Sequence, residues 1–243
     1  MKKNIKKRFY RNFVRENELI KFEVRIEESD LFIMAEKNLK REAEEELSLQ
    51  RRILKDYIIK DAEFYTSFSP RPVEKSAPEI VKLMSQSSFL TNTGPMASVA
   101  GAIAEKVGEK LLKFSNQVIV ENGGDIYLKT NKECIVGIFA GNSPFSMKIG
   151  IKILPSPFPK GIATSSGKIG HSFSYGNADS VTVVSNSATF SDGAATYFGN
   201  LVKSPDDFMK ILEEIKNFPF VEGILIIFEE ELFAWGEIEL VYL

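Results

Sequence analysis

The stretch Val118-Ile119-Val120-Glu121-Asn122-Gly123-Gly124-Asp125-Ile126-Tyr127-Leu128 decides the fold class. An apolar run ends on two glycines, and a second apolar run follows at once. Paired glycines accept positive φ without a steric penalty, so the backbone turns sharply here and leaves a bare surface. Residues 117–121 and 126–130 therefore read as the arms of a β-hairpin. Further runs at 134–140 and 146–154, separated by Gly, Asn and Pro, extend it into an antiparallel meander.

Upstream, residues 21–35 alternate at Phe22, Val24 and Ile26 and resume at Leu31-Phe32-Ile33-Met34 after a polar turn over 27–30, which predicts another hairpin. Leu39, Ala43, Leu47, Leu54, Tyr57 and Ile58 recur at helical spacing amid charge, so 36–60 reads as one amphipathic helix. A loop covers 67–72. Ser76-Ala77-Pro78-Glu79 carries a capping-box pattern and opens a helix to about residue 87. The next helix opens at Gly94-Pro95 and runs to about residue 114; its first half, Met96 to Ala104, is built of small residues, so something approaches it closely. Then come a strand over 180–185, a helix over 192–202, and a further helix capped by Ser204-Pro205-Asp206-Asp207 and reaching about 217. Strands close the chain at 224–228, 232–235 and 237–242. Hairpins punctuated by helices, without repeating βα units, give an α+β fold.

At 243 residues, 44% hydrophobic and 26% charged, the chain can bury one substantial core, and a single domain over 1–243 is expected. A net charge of −2 disfavours nucleic acid as a principal partner. Lys2, Lys3, Lys6, Lys7, Arg8, Arg11 and Arg15 make residues 1–15 a basic arm, read as a solvated terminus in preference to a polyanion-binding one. No apolar run reaches about 18 residues and the basic start lacks a signal-peptide core, so the expectation is a cytoplasmic protein without membrane contact. Cys134, the single cysteine, reads as packing within a strand.

The residues suited to chemistry gather in two places. Asn122-Gly123-Gly124-Asp125 stands at a strand end; Gly161 to Gly199 holds the loop Thr164-Ser165-Ser166-Gly167, the chain's single histidine, His171, and Ser191-Asp192-Gly193-Ala194-Ala195-Thr196. Backbone N–H donors, small residues and a hard cation are what a nucleotide diphosphate requires. Asp192 and Thr196, four apart in the first turn of the predicted helix, point one way and offer half a shell for Mg²⁺. The competing reading makes Ser191 or Asp192 a helix cap. His171 suits proton transfer near neutrality, or is structural. Paired-cysteine zinc spacing, a Gly-Lys-Ser/Thr phosphate loop and a Gly-x-Gly-x-x-Gly motif are all missing from the sequence, which disfavours several large enzyme classes.

These residues, with Ala77-Pro78, Gly94-Pro95-Met96-Ala97, Val120 to Ile126, the Gly161 to Gly167 loop with Gly170-His171-Ser172, and Ala178-Asp179-Ser180, resemble the ApbE flavin transferase superfamily. The closer resemblance is to its shorter cytoplasmic branch of ApbE-like proteins of unassigned function. It implies an ApbE-like, T-fold-related α+β unit of antiparallel sheets packed with helices. It also implies FAD bound with Mg²⁺, and a reaction in which a protein threonine or serine hydroxyl attacks the FMN-side phosphate and releases AMP; some members hydrolyse FAD instead. Carried over, Asn122, Gly123, Gly124 and Asp125 approach the nucleotide with Thr164, Ser165, Ser166 and Gly167. Asp192 and Thr196 hold Mg²⁺ with a backbone carbonyl, that of Asn122, and His171 takes the place of the transferases' histidine.

Two departures stand out. Transferases carry a lysine before the helix glycine, where this chain has Ala100 before Gly101, and an Asp-Pro-x-Thr-Gly-like string after the histidine, where it has Ser172-Phe173-Ser174-Tyr175-Gly176. The expected partners are a flavin nucleotide and a cytoplasmic protein acceptor of FMN. A non-catalytic nucleotide-binding or partner-docking role on the same scaffold stays open beside transfer or hydrolysis.

Overall fold

Side-chain alternation along the strands builds the architecture. The computed structural model describes residues 19–167 and 175–243, so the basic arm over 1–15 and His171 lie outside the described residues. Strands β1 (Ile20–Ile26), β2 (Ser29–Ala35), β3 (Val118–Asn122), β4 (Asp125–Lys129), β7 (Lys160–Ser165), β8 (Ser180–Ser185), β9 (Val221–Phe228) and β10 (Glu231–Gly236) form one sheet, antiparallel throughout, in that spatial order. A second sheet has the order β11 (Glu239–Tyr242), β6 (Ile149–Ile153), β5 (Cys134–Gly137).

Leu31, Ile33 and Ala35 of β2 and Val118 and Val120 of β3 face the helices. Met34, Ile119, Leu128 and Ile162 face the small sheet. On the far half, Val181, Val183, Ile224 and Ile226 again face helices, while Val184, Leu225 and Ile227 face the small sheet. A one-residue slip would exchange these sets between layers. Each fully buried aliphatic contributes roughly 1.5–3 kcal/mol, so the register is strongly held.

The helical layer has two parts. Helices α1 (Lys40–Lys60), α2 (Ala62–Thr66), α3 (Glu79–Thr91) and α4 (Val99–Leu111) lie with β1 to β4 in one core. Helices α5 (Ala188–Leu201) and α6 (Phe208–Glu214) lie with β7 to β9 in another. The two parts meet where α4 packs on α5. Among the described residues, no helix is long and apolar enough to cross a membrane. The result is the expected α+β unit of antiparallel sheets packed with helices.

Several local expectations change. The meander is split: β3 pairs β4, but β5 and β6 leave for the second sheet and β7 returns beside β4. Most of the segment read as a Gly161 to Gly167 loop is strand: β7 runs over Lys160–Ser165, with Thr164 and Ser165 paired to Thr182 and Val181. Glu36 stands before α1, its carboxylate accepting the Asn116 N–H at 2.8 Å. The capping box at Ser76 does not form; Pro78 occupies the N-cap position of α3, and the Ser76 hydroxyl bonds Glu74. Gly94-Pro95 opens a 3-10 turn over Pro95–Ser98 before α4 begins. The cap expected at Ser204 is present, as a capping box with Asp207 on the 3-10 turn Pro205–Asp207 that leads into α6.

Candidate functional site

Helix α5 begins a turn earlier than its sequence suggests. Ser187 is its N-cap, accepting the Phe190 N–H at 3.3 Å. Asp192 and Thr196 therefore lie in the second and third turns, and Asp192 caps a different helix. Its Oδ2 accepts the Gly101 N–H at 2.9 Å and its carboxylate also takes the Ala100 N–H, the donors at the start of α4. Ser98, the N-cap of α4, makes no side-chain cap bond, so Asp192 supplies from a neighbouring helix the acceptor that α4 lacks.

Glu105 does the reverse. From the second turn of α4, its Oε2 accepts the Ser187 hydroxyl at 2.7 Å, the Thr189 hydroxyl at 2.8 Å and the Thr189 N–H at 2.9 Å, all in the opening turn of α5. The two helices run antiparallel, each bringing a carboxylate to the positive N-terminal end of the other. Their contact needs glycine: a Cβ on Gly101 would stand 2.3 Å from the Ala188 carbonyl oxygen and 2.8 Å from Asp192 Cβ. On the opposite flank of α5, a Cβ on Gly193 would meet Ser87 Oγ at 2.5 Å. The small-residue string over 191–196 is thus first a packing requirement.

Asp192 is buried, and burial pushes its carboxyl up from the ordinary 3.8 to about 7, against the two backbone N–H groups that lower it. The Thr196 hydroxyl lies 3.4 Å from the Ala97 carbonyl oxygen, so α5 presents a carboxylate and a hydroxyl to the chain entering α4.

Asn122 and Asp125 are direct cross-strand partners flanking the Gly123-Gly124 tip, and both are buried. The tip takes φ of 73° and 113°, conformations glycine alone adopts freely. Gly124 N–H donates to Glu121 Oε1 at 2.9 Å. Asn122 Nδ2 donates to the Ala100 carbonyl at 3.0 Å, which fastens the hairpin to α4. A Cβ on Gly124 would lie 3.9 Å from the Thr164 carbonyl oxygen, so the tip and the end of β7 are neighbours.

Asn122, Asp192 and Thr196 thus converge on Ala97, Ala100 and Gly101, with Gly123, Gly124 and the end of β7 alongside. Asn122 arrives by its side-chain amide, and the carbonyl beside Thr196 belongs to Ala97. Thr164 diverges from its sequence reading: Gly161 abuts the start of α5, so by alternation Thr164 faces the opposite side of the sheet, where its hydroxyl bonds that of Thr182 at 2.9 Å. Ser165 is on the helix side by the same alternation, and Gly167 N–H is held by the Ala178 carbonyl at 3.0 Å. Sequence reasoning missed Glu105; the available signal was a carboxylate closing the apolar run Gly101 to Ala104.

A family model described as "AbpE bacteria" matches residues 11–212. The chain belongs to that family. It is 43% identical over 220 residues to a UPF0280 protein of Methanococcus vannielii, covering 88% of this chain and 86% of the relative. A UPF0280 protein of Methanocaldococcus jannaschii is 40% identical over 200 residues, covering 80% and 81%. Among solved structures, the apo form of the Pseudomonas stutzeri flavinyl transferase ApbE matches with a TM-score of 0.59 at 14% identity, over 90% of this chain and 94% of that one. The ApbE protein of Thermotoga maritima matches with a TM-score of 0.54 at 12% identity, over 90% and 97%. The fold is ApbE-like, and the family-level resemblance drawn from the sequence motifs holds.

Proposed function

We propose that this ApbE-like chain binds a flavin nucleotide, FAD, with Mg²⁺ where α4 meets α5, and acts on its pyrophosphate as an FMN transferase or FAD hydrolase. The observation that carries this is the buried Asp192 carboxylate, whose partners among the described residues are backbone N–H groups, next to the Thr196 hydroxyl and the Ala97 carbonyl. A buried carboxylate without a cationic partner is costly, and a bound cation offsets that cost.

The donors suit Mg²⁺, which takes oxygen ligands and retains water and phosphate oxygens. The 3.4 Å between Thr196 Oγ1 and the Ala97 carbonyl oxygen is near the ~3 Å edge of an octahedron with bonds of 2.0–2.1 Å. Asp192, Thr196 and the Ala97 carbonyl would hold the ion, with the Asn122 backbone carbonyl as the further ligand the resemblance implies; the Asn122 side-chain amide is engaged by Ala100 and holds the hairpin. When bound, the cation neutralises pyrophosphate charge. Gly123 and Gly124 let that group approach the backbone, and Asp125, Ser165, Ser166 and Gly167 border it. His171 is assigned the proton acceptor for the attacking hydroxyl or water. Transfer joins the FMN phosphate to a protein hydroxyl and releases AMP; hydrolysis joins it to water and releases FMN and AMP.

One observation favours binding without turnover. Ala100 stands where transferases carry lysine, and here its N–H and carbonyl are engaged by Asp192 and Asn122. Chromatography of protein incubated with FAD and Mg²⁺, with and without EDTA, separates the readings. Magnesium-dependent AMP release that disappears in Asp192→Ala supports pyrophosphate chemistry, and equimolar free FMN identifies hydrolysis. FAD retention without AMP supports the binding role, and neither retention nor AMP refutes both.

A further inference from the structure

We propose that Glu105 is a positioning residue for the Asp192 and Thr196 site, fixing where α5 stands along α4; this rests on the metal-binding reading above. Capping alone does not account for it. Helix α5 already has a cap in Ser187, whose oxygen takes the Phe190 N–H. What Glu105 adds is a link between helices, since one carboxylate oxygen gathers three donors from the opening turn of α5. Charge-assisted bonds of this kind are short and strong, and three on one atom fix its place in all directions.

Together with the Asp192 bond to Gly101, this makes a closed loop. Glu105 on α4 holds the start of α5, and Asp192 one turn later on α5 holds the start of α4. Each link restrains sliding of one helix along the other, and together they hold the register at two points about one turn apart. A helix advances about 1.5 Å per residue, whereas metal–ligand distances tolerate about 0.2 Å. A slide of a small fraction of one residue therefore separates Asp192 and Thr196 from Ala97. Ser87, which donates to the Thr189 carbonyl at 3.1 Å from α3, supports the same turn of α5 but contributes no charge.

The test is Mg²⁺ titration of the nucleotide-free protein, followed by thermal melting, for wild type, Glu105→Gln, Glu105→Ala and Val107→Ala. Val107 is fully buried on α4 in the core that α4 shares with α1 to α3 and serves as a control for general loosening. Glu105→Ala should raise the Mg²⁺ concentration at half-maximal stabilisation about tenfold or more, the usual loss when a residue orienting a metal ligand is removed. Glu105→Gln keeps an acceptor oxygen and should show a smaller increase, about threefold. Val107→Ala should melt earlier with the wild-type midpoint. Earlier melting of the Glu105 variants with unchanged midpoints overturns the proposal, as does an equal displacement in Val107→Ala. If Glu105→Ala does not fold, Glu105→Gln decides alone, an unchanged midpoint overturning it. A wild type that ignores Mg²⁺ refutes the metal reading and the proposal with it, a result distinct from a responsive wild type with indifferent variants.

Discussion

Replacing Asp192 with asparagine should make the metal-free protein more stable at alkaline pH while abolishing its response to Mg²⁺. Burial raises the carboxyl from 3.8 to about 7, so in the folded chain the neutral form is favoured. The associated stability is fully present below pH 3.8, declines as pH rises, and is lost once pH passes about 7. At about 1.4 kcal/mol per tenfold change in proton affinity, the ceiling on that loss is about 4 kcal/mol. Asparagine stays neutral and keeps an acceptor for the Gly101 N–H, but brings a second N–H donor into a buried position, which reduces the net gain at pH 8 to about 2 kcal/mol. For a chain of this length that is about 4–8 °C. Urea midpoints in EDTA at pH 5 and pH 8 check this: the advantage of Asp192→Asn should widen by up to about 3 kcal/mol between the two. Mg²⁺ should close the gap at pH 8 by stabilising wild type alone. An asparagine variant that is less stable than wild type at pH 8 in EDTA, or that still gains from Mg²⁺, refutes the reasoning.

Gly101→Ala should destabilise the fold by about 1–3 kcal/mol in urea melts, because its methyl falls on the Ala188 carbonyl and Asp192 Cβ, and it should weaken Mg²⁺ stabilisation in parallel. Asn122→Ala removes the 3.0 Å bond to the Ala100 carbonyl and should cost about 1 kcal/mol, with FAD affinity measured by flavin fluorescence falling alongside. Thr164→Val breaks the hydroxyl pair with Thr182 and should lower the urea midpoint, yet leave Mg²⁺-dependent FAD binding within about twofold, since that hydroxyl faces away from α5; a larger loss of affinity would place Thr164 in the site after all.

What was legible in the sequence follows from how local each signal is. Phe22, Val24 and Ile26 alternate with the exposed Lys21, Glu23 and Arg25 because one face of β1 meets the helices, whereas Val118-Ile119-Val120 is a continuous apolar run because β3 is buried on both faces; both patterns survive without knowledge of neighbours. The glycine pair at 123–124 announced its turn for the same reason. Sheet membership is different: nothing in 134–137 or 149–153 states that these strands join β11 and not β4, since that choice is made by the Ile149, Ile151 and Ile153 side chains meeting the far face of the large sheet. Strand β7 looked like a loop because Gly161, Thr164 and Ser165 sit where helix α5 and strand β8 press close, which calls for small residues in place of an apolar alternation. The start of α5 was misplaced because Ser187, which caps it through the Phe190 N–H, looked like one hydroxyl among many, and the Glu105 carboxylate that also receives its hydroxyl is 82 residues away.

That separation also explains why Asp192 resisted a single reading. As a candidate metal ligand and as a candidate helix cap it seemed to face two exclusive alternatives, yet the cap it provides belongs to α4, and capping uses backbone N–H groups that leave the negative charge in place. Glu105 is buried too, but two hydroxyls and an N–H converge on one of its oxygens. Burial raises the Asp192 carboxyl to about 7, and on α5 it shares with Thr196 the face that meets the entry to α4. Capping brings the carboxylate to this position, and the uncompensated charge suits it to a cation, so the structural and functional roles of Asp192 follow from the same geometry.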